Sequence, residues 1–282
     1  MGASVTAAAR TWLVTGASAG LGRALVTELL DRGEIVAATS RDPAALPGSL
    51  AWSARLDVTR PDQIRHVVDD AVSALGRIDV AVSNAGYGLF GAAEETTDAQ
   101  VEQQIRTNLI GPIHLARALL PHLRGQGGGR IAQISSVAGQ CTVPGMAVYH
   151  ASKWGVEGFF ESLAAEVRCF GIDVTIVEPG AVRTEFTRRN KQVTTELPAY
   201  RGTPADTVRR AVESRFARYP GDLAKMAAAI VDAVGAPEPP LRLALGSDAY
   251  RLIHDALGAR LADLEKRKDL AMSTDTSGSG AA

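Results

Sequence analysis

TWLVTGASAGLGRALVTELLDRG, residues 11 to 33, decides the fold: a short apolar run turns at glycines and continues as a helix that ends at Gly33. A helix that starts directly after such a turn presents free N–H groups and its positive dipole end to an anion. Gly16, Gly20 and Gly22 allow a tight turn and a close approach, so we expect this glycine loop (residues 15–22) to bind a diphosphate. The spacing is not the plain G-x-G-x-x-G, so a turn without function stays open on this evidence alone.

The alternation of strand and helix continues along the chain. Further strands are predicted at 34–40, 50–58, 78–86, 129–136, 172–180 and 241–246. Helices are predicted at 61–76, at 97–123 with a bend near Gly111-Pro112, at 148–171, and from the last strand to about 268. Strands this apolar are buried on both faces, so the pattern predicts an α/β fold, a doubly wound parallel sheet (Rossmann fold) of about seven strands in a single domain.

The predicted domain covers residues 11–268. A flexible N-terminus (1–10) precedes it, and a disordered tail rich in small and polar residues (269–282) follows it. The stretch 181–222 departs from the strand–helix rhythm, and we interpret it as a substrate-binding insertion.

The composition narrows the function classes. The chain has 282 residues and a net charge of −1, which gives no reason to expect nucleic acid or an anionic membrane as a partner. No apolar run reaches the roughly 18 residues of a spanning helix. Cys141 and Cys169 lack metal-ligand spacing, so no metal site is predicted. Two scattered thiols without a signal sequence favour the cytoplasm.

A second informative stretch, AQISSVAGQCTVPGMAVYHASKWGVEGF, spans residues 132–159. Tyr149 and Lys153 stand one helical turn apart on the same face. An ammonium favours a neighbouring phenolate, so we expect Lys153 to lower the pKa of Tyr149 from about 10 and to make it a proton donor or acceptor. Ser136 ends the fifth strand and could hold the same substrate oxygen. Parallel sheets bind ligands at the C-terminal ends of their strands, so these side chains and the glycine loop should face one crevice.

The end of the second strand bears on the choice of cofactor. An acidic residue there bonds the ribose of NAD, whereas an arginine suits the 2′-phosphate of NADP. The sequence is Thr39-Ser40-Arg41, without an acidic residue before Asp42. NADP(H) is therefore favoured and NAD(H) stays possible, as does the alternative that Arg41 is only a solvated loop residue.

Together these motifs resemble the short-chain dehydrogenase/reductase family. The matching segments follow the family's order over roughly residues 11–185: Thr15-Gly16-x-x-x-Gly20-x-Gly22, Asp57-Val58, Asn84-Ala85-Gly86, Asn108, Ser136, Tyr149-x-x-x-Lys153 and Pro179-Gly180-x-Val182-x-Thr184. The resemblance implies an oxidoreductase that moves a hydride between a nicotinamide and a carbonyl or alcohol. Tyr149 would be the acid/base, Lys153 would also hold the nicotinamide ribose, and Ser136 would polarise the carbonyl.

The resemblance also implies roles for the other matching residues. Asn108 would support a proton relay through water to Lys153, although an Asn that only satisfies a helix kink stays open. Ala19 stands where NADP-dependent members often carry a basic residue, so Arg41 would act with Ser18 and Ser40 alone. The remaining implied cofactor contacts are Gly16, Gly20, Leu21, Gly22, Asp57, Val58, Asn84, Ala85, Gly86, Pro179, Gly180, Val182 and Thr184.

The predicted substrate pocket is mostly apolar, which favours a hydrophobic ketone or secondary alcohol. Its candidate residues are Leu89, Phe90, Val143, Met146, Phe186 and Tyr200. Two other functions stay open: a non-redox enzyme on the same fold (epimerase, dehydratase or cyclase) and a non-catalytic cofactor-binding regulator. Because family members commonly pair long helices, a homodimer or homotetramer through 97–123 and 148–171 is expected.

Overall fold

A computed structural model describes residues 8–182, 191–214 and 219–276 of the chain. Its strands are β1 Thr11–Thr15, β2 Ile35–Ser40, β3 Trp52–Arg55, β4 Val80–Ser83, β5 Gly88–Phe90, β6 Gly129–Ile134, β7 Ile172–Pro179, β8 Lys191–Val193 and β9 Arg242–Leu245. Its α-helices are α1 Gly20–Asp31, α2 Pro61–Leu75, α3 Asp98–Ile105, α4 Gly111–Gly125, α5 Ala147–Val167, α6 Pro204–Ser214, α7 Leu223–Gly235, α8 Ser247–Glu265 and α9 Lys268–Met272.

Seven strands form one parallel sheet in the order β3-β2-β1-β4-β6-β7-β9. The chain leaves β1 in one direction to add β2 and β3, and returns to add β4 on the other side. A crevice opens where the order reverses, above the C-terminal ends of β1 and β4. The predicted doubly wound sheet of seven strands in a single domain is thereby confirmed.

Two layers of helices bury the sheet on both faces. Trp12 and Val14 of β1 pack with α1 and α7, whereas Leu13 between them packs with the cluster that includes α2, α4 and α5. All three side chains are at most 1% exposed. The run TWLVT is therefore buried throughout, with three consecutive apolar residues at its centre, because both faces of a central parallel strand lie in the core.

The predicted long helix 97–123 is irregular where a bend was expected. A π-helical turn, Arg106–Ile110, separates α3 from α4, and the N–H of Gly111 bonds the carbonyl of Arg106 five residues earlier. Only glycine fits at position 111 without a shift, because a Cβ there would lie 2.7 Å from the carbonyl oxygen of Val58. The wider turn carries Asn108 into the protein interior.

The segment after β7 contains a strand pairing that the sequence did not predict. β8 runs parallel to β5, with Gly88 opposite Lys191 and Phe90 opposite Val193. The short helix α9 covers the first residues of the predicted tail. Residues 1–7 of the predicted flexible N-terminus and 277–282 of the tail lie outside the described residues. No helix in the described ranges has both the length and the apolar content needed to cross a membrane.

Candidate active site

One cavity of about 680 Å³ lies at the C-terminal edge of the sheet, where the strand order reverses. Its described wall combines the glycine loop, the ends of β2, β4, β6 and β7, the start of α5 and a residue of α8. It contains most of the predicted site residues: Gly16, Ser18, Gly20, Leu21, Ser40, Arg41, Asp57, Val58, Asn84, Ala85, Gly86, Phe90, Ser136, Val143, Met146, Tyr149, Lys153, Pro179, Gly180 and Val182.

The glycine loop forms a cradle in which a larger side chain at Gly16 would not fit. Gly16 has a φ of +66°, and a Cβ there would lie 2.8 Å from Cα of Ala85. Ala19 precedes α1 and no side chain caps that helix. An uncapped helix start beside a glycine turn fits the diphosphate of a dinucleotide.

Asn84 holds the glycine loop in place. Its Nδ2 donates to the carbonyl oxygens of Thr15 (2.9 Å) and Gly16 (3.2 Å). The hydroxyl of Thr15 accepts from the backbone N–H of Asn84 at 3.0 Å, which ties β1 to the end of β4. Gly22 packs behind this junction, since a Cβ on it would overlap Asn84 Nδ2. Gly22 therefore shapes the cavity without lining it.

Ser136, Tyr149 and Lys153 meet on one wall of the cavity. The Ser136 hydroxyl accepts from the N–H of Ala138 at 3.1 Å and hydrogen-bonds the phenol of Tyr149. Lys153 Nζ lies 5.8 Å from the centre of the Tyr149 ring and donates to the carbonyl oxygen of Ile134 at 3.0 Å. Tyr149 and Lys153 are each 6% exposed, so the pair is almost dry.

The pKa of Tyr149 differs from the sequence-based expectation. Burial raises the pKa of Tyr149 to about 12, while the hydrogen bond with Ser136 acts in the lowering direction. Burial also lowers the pKa of Lys153 to about 8, with the charge of Glu157 opposing that shift. The expectation of a lowered pKa for Tyr149 is therefore wrong, because burial disfavours the charged forms of both groups. The site therefore holds a protonated phenol beside an easily neutralised ammonium.

Asn108 lies behind the cavity rather than on its wall. Its Oδ1 accepts from the N–H of Tyr87 at 3.1 Å, and its Nδ2 donates to the carbonyl of Tyr87 at 2.9 Å and to Ser152 Oγ at 3.3 Å. The side chain is 1% exposed. The amide thus holds the backbone of Tyr87 beside the π-helical turn.

The far end of the cavity carries the groups expected to meet an adenosine. Asp57 Oδ1 accepts from the N–H (3.0 Å) and the hydroxyl (2.7 Å) of Thr59. Burial raises the pKa of Asp57, but these bonds and the charges of Arg41 and Arg60 outweigh it and bring that pKa below its ordinary value. Ser40 Oγ accepts from the N–H of Asp42 at 3.2 Å, so it turns the chain that presents Arg41.

Not every predicted residue reaches the cavity. Leu89 and Tyr200 lie outside its described wall: Leu89 is 2% exposed in the interior, and the Tyr200 hydroxyl donates to Glu94 at 2.9 Å. Thr184 and Phe186 lie outside the described residues. The prediction omitted Leu252 of α8, as well as Gln192, Val208 and Tyr219, all of which line the cavity. No local motif marks these residues, because they come from distant segments.

Tyr87 adds an unsatisfied donor to the cavity. Its backbone is held by Asn108 and by Gln104, whose Nε2 donates to the Tyr87 carbonyl at 3.0 Å. Within the described chain, its buried hydroxyl has no hydrogen-bond partner. An orphaned buried hydroxyl on a cavity wall is suited to a bound ligand.

Comparison with known proteins assigns the family. The family model for short chain dehydrogenases matches residues 10–194. A crystal structure of a short-chain dehydrogenase from Streptomyces avermitilis is 40% identical, with a TM-score of 0.88 over 95% of this chain and 100% of that one.

Two further relatives are similar over less of the chain. A 3-ketodihydrosphingosine reductase of Bacteroides thetaiotaomicron is 37% identical over 83% of this chain and 87% of its own length. A metagenomic short-chain oxidoreductase solved with NADP is also 37% identical, with a TM-score of 0.58 over 62% of this chain and 83% of that one. The chain therefore belongs to the short-chain dehydrogenase/reductase family, and it is an oxidoreductase.

Proposed function

We propose that this oxidoreductase is an NADP(H)-dependent ketoreductase or alcohol dehydrogenase for hydrophobic ketones and secondary alcohols. One observation carries the proposal. The phenol of Tyr149, bonded to Ser136 and flanked by Lys153, lies on the wall of the same cavity as the glycine loop. A proton donor and a dinucleotide cradle in one cavity are the two components that carbonyl reduction requires.

The cavity has a group for each part of such a dinucleotide. The glycine loop would hold the diphosphate, Asp57 and Val58 the adenine, and Asn84-Ala85-Gly86 the wall beside the adenosine ribose. Lys153 would bond the nicotinamide ribose, and the residues Pro179 to Val182 would abut the nicotinamide. When bound, the nicotinamide supplies or accepts the hydride.

The chain's own residues supply the proton and its control. In the reducing direction Tyr149 donates its proton to the substrate's carbonyl oxygen, for which its raised pKa keeps it ready. Ser136 can donate to the same oxygen and hold it in reach. The ammonium of Lys153 then stabilises the phenolate left behind. Such positioned proton transfer contributes roughly 10²–10⁴-fold to the rate.

Arg41 supports the choice of NADP. It lies on the cavity wall at the end of β2, exposed to solvent, and its charge acts on Asp57. An arginine in that place can form paired hydrogen bonds to a phosphate. The metagenomic relative solved with NADP supports the same choice.

The apolar part of the cavity wall supports the substrate class. It includes Phe90, Val143, Met146, Val208 and Leu252. Apolar walls with a few polar groups bind ligands mainly by burial. The relative named as a 3-ketodihydrosphingosine reductase supports a ketone as the substrate.

The proposal includes a homodimer or homotetramer in the cytoplasm. The two cysteines, Cys141 and Cys169, are free thiols, as a reducing compartment favours. Ala151, Trp154 and Gly158 are exposed along one side of α5, where a second copy could pack. Light scattering during size-exclusion chromatography measures the mass, and a monomer at micromolar concentration would contradict this part.

The decisive experiment is a panel of substrates followed by nicotinamide absorbance. Hydrophobic ketones and small polar sugars would each be offered with NADPH and with NADH. We expect stoichiometric oxidation of NADPH with the hydrophobic ketones. Conversion without any absorbance change would identify a non-redox enzyme, and a preference for sugars would contradict the substrate class.

A further inference from the structure

Three consecutive residues at the end of β6 are bound by three side chains of α5. The carbonyl oxygen of Ile134 accepts from Lys153, Ser135 donates to Glu157 at 2.6 Å, and Ser136 bonds Tyr149. Two of these side chains belong to the proposed chemistry, and the proposed function assigns no role to the third. Glu157 follows Lys153 by one helical turn and is 2% exposed.

The Glu157 carboxylate is held from several directions. Its Oε2 accepts from Arg242 of β9 at 2.7 Å and from Gln140 in the loop after Ser136. Gly139 in the same loop has no room for a side chain, because a Cβ would overlap Glu157 Oε1. A buried carboxylate with this many donors occupies a single position.

We propose that Glu157 is a positioning residue that sets the charge of Lys153 and holds the strand end that carries Ser136. The inference rests on the proposed function for the roles of Lys153 and Ser136. The negative charge of Glu157 favours the ammonium, whereas burial disfavours it. Its bond to Ser135 holds the residue directly before Ser136. Glu157 therefore both favours the charge of Lys153 and positions Ser136.

The surroundings of Lys153 and Glu157 contain a matched control. Arg242 also bonds Glu178 at 2.6 Å, and Glu178 is 3% exposed. Glu178 is also a buried carboxylate bonded to Arg242, and burial and the charge of Glu157 raise its pKa. It lies on β7, and Glu157 rather than Glu178 is the carboxylate whose charge raises the pKa of Lys153. The titratable and charged groups that face this region from the packed elements are Tyr149, His150 and Glu161 of α5, Glu178 of β7, Arg242 of β9 and Cys141 of the cavity loop.

The test measures the titration of Lys153 directly. The chain has only five lysines, at 153, 191, 225, 266 and 268, so protein labelled with ¹³C at the lysine Cε position gives few NMR signals. The signal missing from Lys153→Met identifies Lys153. In Glu157→Gln we expect the midpoint of Lys153 to fall by about one pH unit. Glu178→Gln should leave it unchanged, and an unmoved midpoint in Glu157→Gln would overturn the inference.

A second variant keeps the inference testable if Glu157→Gln does not fold. Arg242→Gln removes the cation that neutralises Glu157, and its side chain is 32% exposed, so the change reaches solvent. We expect the Lys153 midpoint to move upward, opposite to the shift in Glu157→Gln. Equal shifts in Glu157→Gln and Glu178→Gln would mean that the carboxylate acts only through packing and would also overturn the inference.

Activity then separates this inference from the proposed function. The alkaline limb of kcat/KM for NADPH should move with the NMR midpoint in each variant. A shifted midpoint in a protein that never oxidises NADPH would contradict the proposed function and support the role of Glu157. If the wild-type protein oxidises NADPH, but neither the alkaline limb nor the Lys153 midpoint moves in Glu157→Gln, the proposed function is supported and the role of Glu157 is contradicted.

Discussion

Lys153 and Tyr149 stand one turn apart on α5, with the lysine Nζ 5.8 Å from the centre of the tyrosine ring. The lysine Nζ donates a hydrogen bond to the carbonyl oxygen of Ile134 on β6. The phenol of Tyr149 is hydrogen-bonded to Ser136. It also ties the charge of α5 to the strand end on which the serine lies.

The first prediction concerns Tyr149→Phe, which removes the phenolic proton and keeps the ring. We expect turnover to fall at least about 100-fold, because the variant lacks the proposed proton donor. Binding of NADPH, followed by its fluorescence, should be retained. Tyr250→Phe is the matched control, since Tyr250 is 66% exposed on α8 and should lose nothing. Unchanged turnover in Tyr149→Phe would refute the proposed mechanism.

The second prediction follows from the charge of Lys153. Its pKa is lowered to about 8, so the ammonium is present below that pH and is lost as the pH rises through it. We expect kcat/KM for NADPH, which reports the free enzyme, to decline above about pH 8. A profile that stays level well beyond that pH would show that the charge of Lys153 is not needed.

The third prediction concerns cofactor choice. Arg41→Asp should lower kcat/KM for NADPH by roughly 10- to 100-fold and raise it for NADH, because a carboxylate repels the 2′-phosphate and bonds a ribose hydroxyl. Arg60→Asp is the control, since Arg60 also acts on Asp57 but does not line the cavity. The ratio of kcat/KM for the two cofactors is the measurement, and equal ratios in the two variants would contradict the role of Arg41.

The fourth prediction tests the glycine cradle. Gly22→Ala places a methyl group where Asn84 Nδ2 now bonds the loop. We expect a loss of about 1–3 kcal/mol in the free energy of unfolding, together with weaker NADPH binding. Gly48→Ala meets no atom within 4 Å and should change neither quantity. Equal behaviour of the two variants in urea unfolding would remove the argument for close packing at Gly22.

The fifth prediction concerns the segment beside the substrate wall. Glu95 accepts from the N–H groups of Ala92 (2.8 Å) and Leu197 (2.9 Å) and pairs with Arg209 of α6 at 3.0 Å. Glu95→Gln leaves a buried guanidinium with less compensation and should cost about 3 kcal/mol of unfolding free energy.

The substrate KM should also rise in Glu95→Gln, because Val208 beside Arg209 lines the cavity. Glu94→Gln, which removes only an exposed contact to Tyr200, is the control. Urea denaturation and initial rates measure both effects. If Glu95→Gln proves as stable as Glu94→Gln, the buried contacts of Glu95 do not stabilise this segment.

The sequence was informative wherever the signal is local. Strand runs, the glycine loop and the Tyr149–Lys153 spacing each lie within a few residues, and the predicted sheet is confirmed. The pairing of β5 with β8 joins residues about a hundred positions apart through only three residues on each side. Runs that short carry no reliable strand signal, so nothing in the sequence announces this pairing.

The cavity wall divides in the same way. Its motif-bearing residues could be named in advance, whereas Leu252 and Val208 reach it only because α8 and α6 fold back over the sheet edge. Leu89 was assigned to the wall by its neighbourhood to Phe90. Neighbours along a strand face opposite sides, so only one of the two can line the cavity.

The sequence by itself determined the alternation of the seven main-sheet strands with helices, and it predicted the diphosphate cradle and the Ser–Tyr–Lys set, because each depends on residues close together in the chain. The tertiary structure alone decided that Tyr149 holds its proton more tightly than free tyrosine, and that Glu157, Glu178 and Arg242 meet behind it. The reason is physical. Desolvation and charge pairing depend on every group that surrounds a side chain, and those groups are brought together only when the whole chain folds.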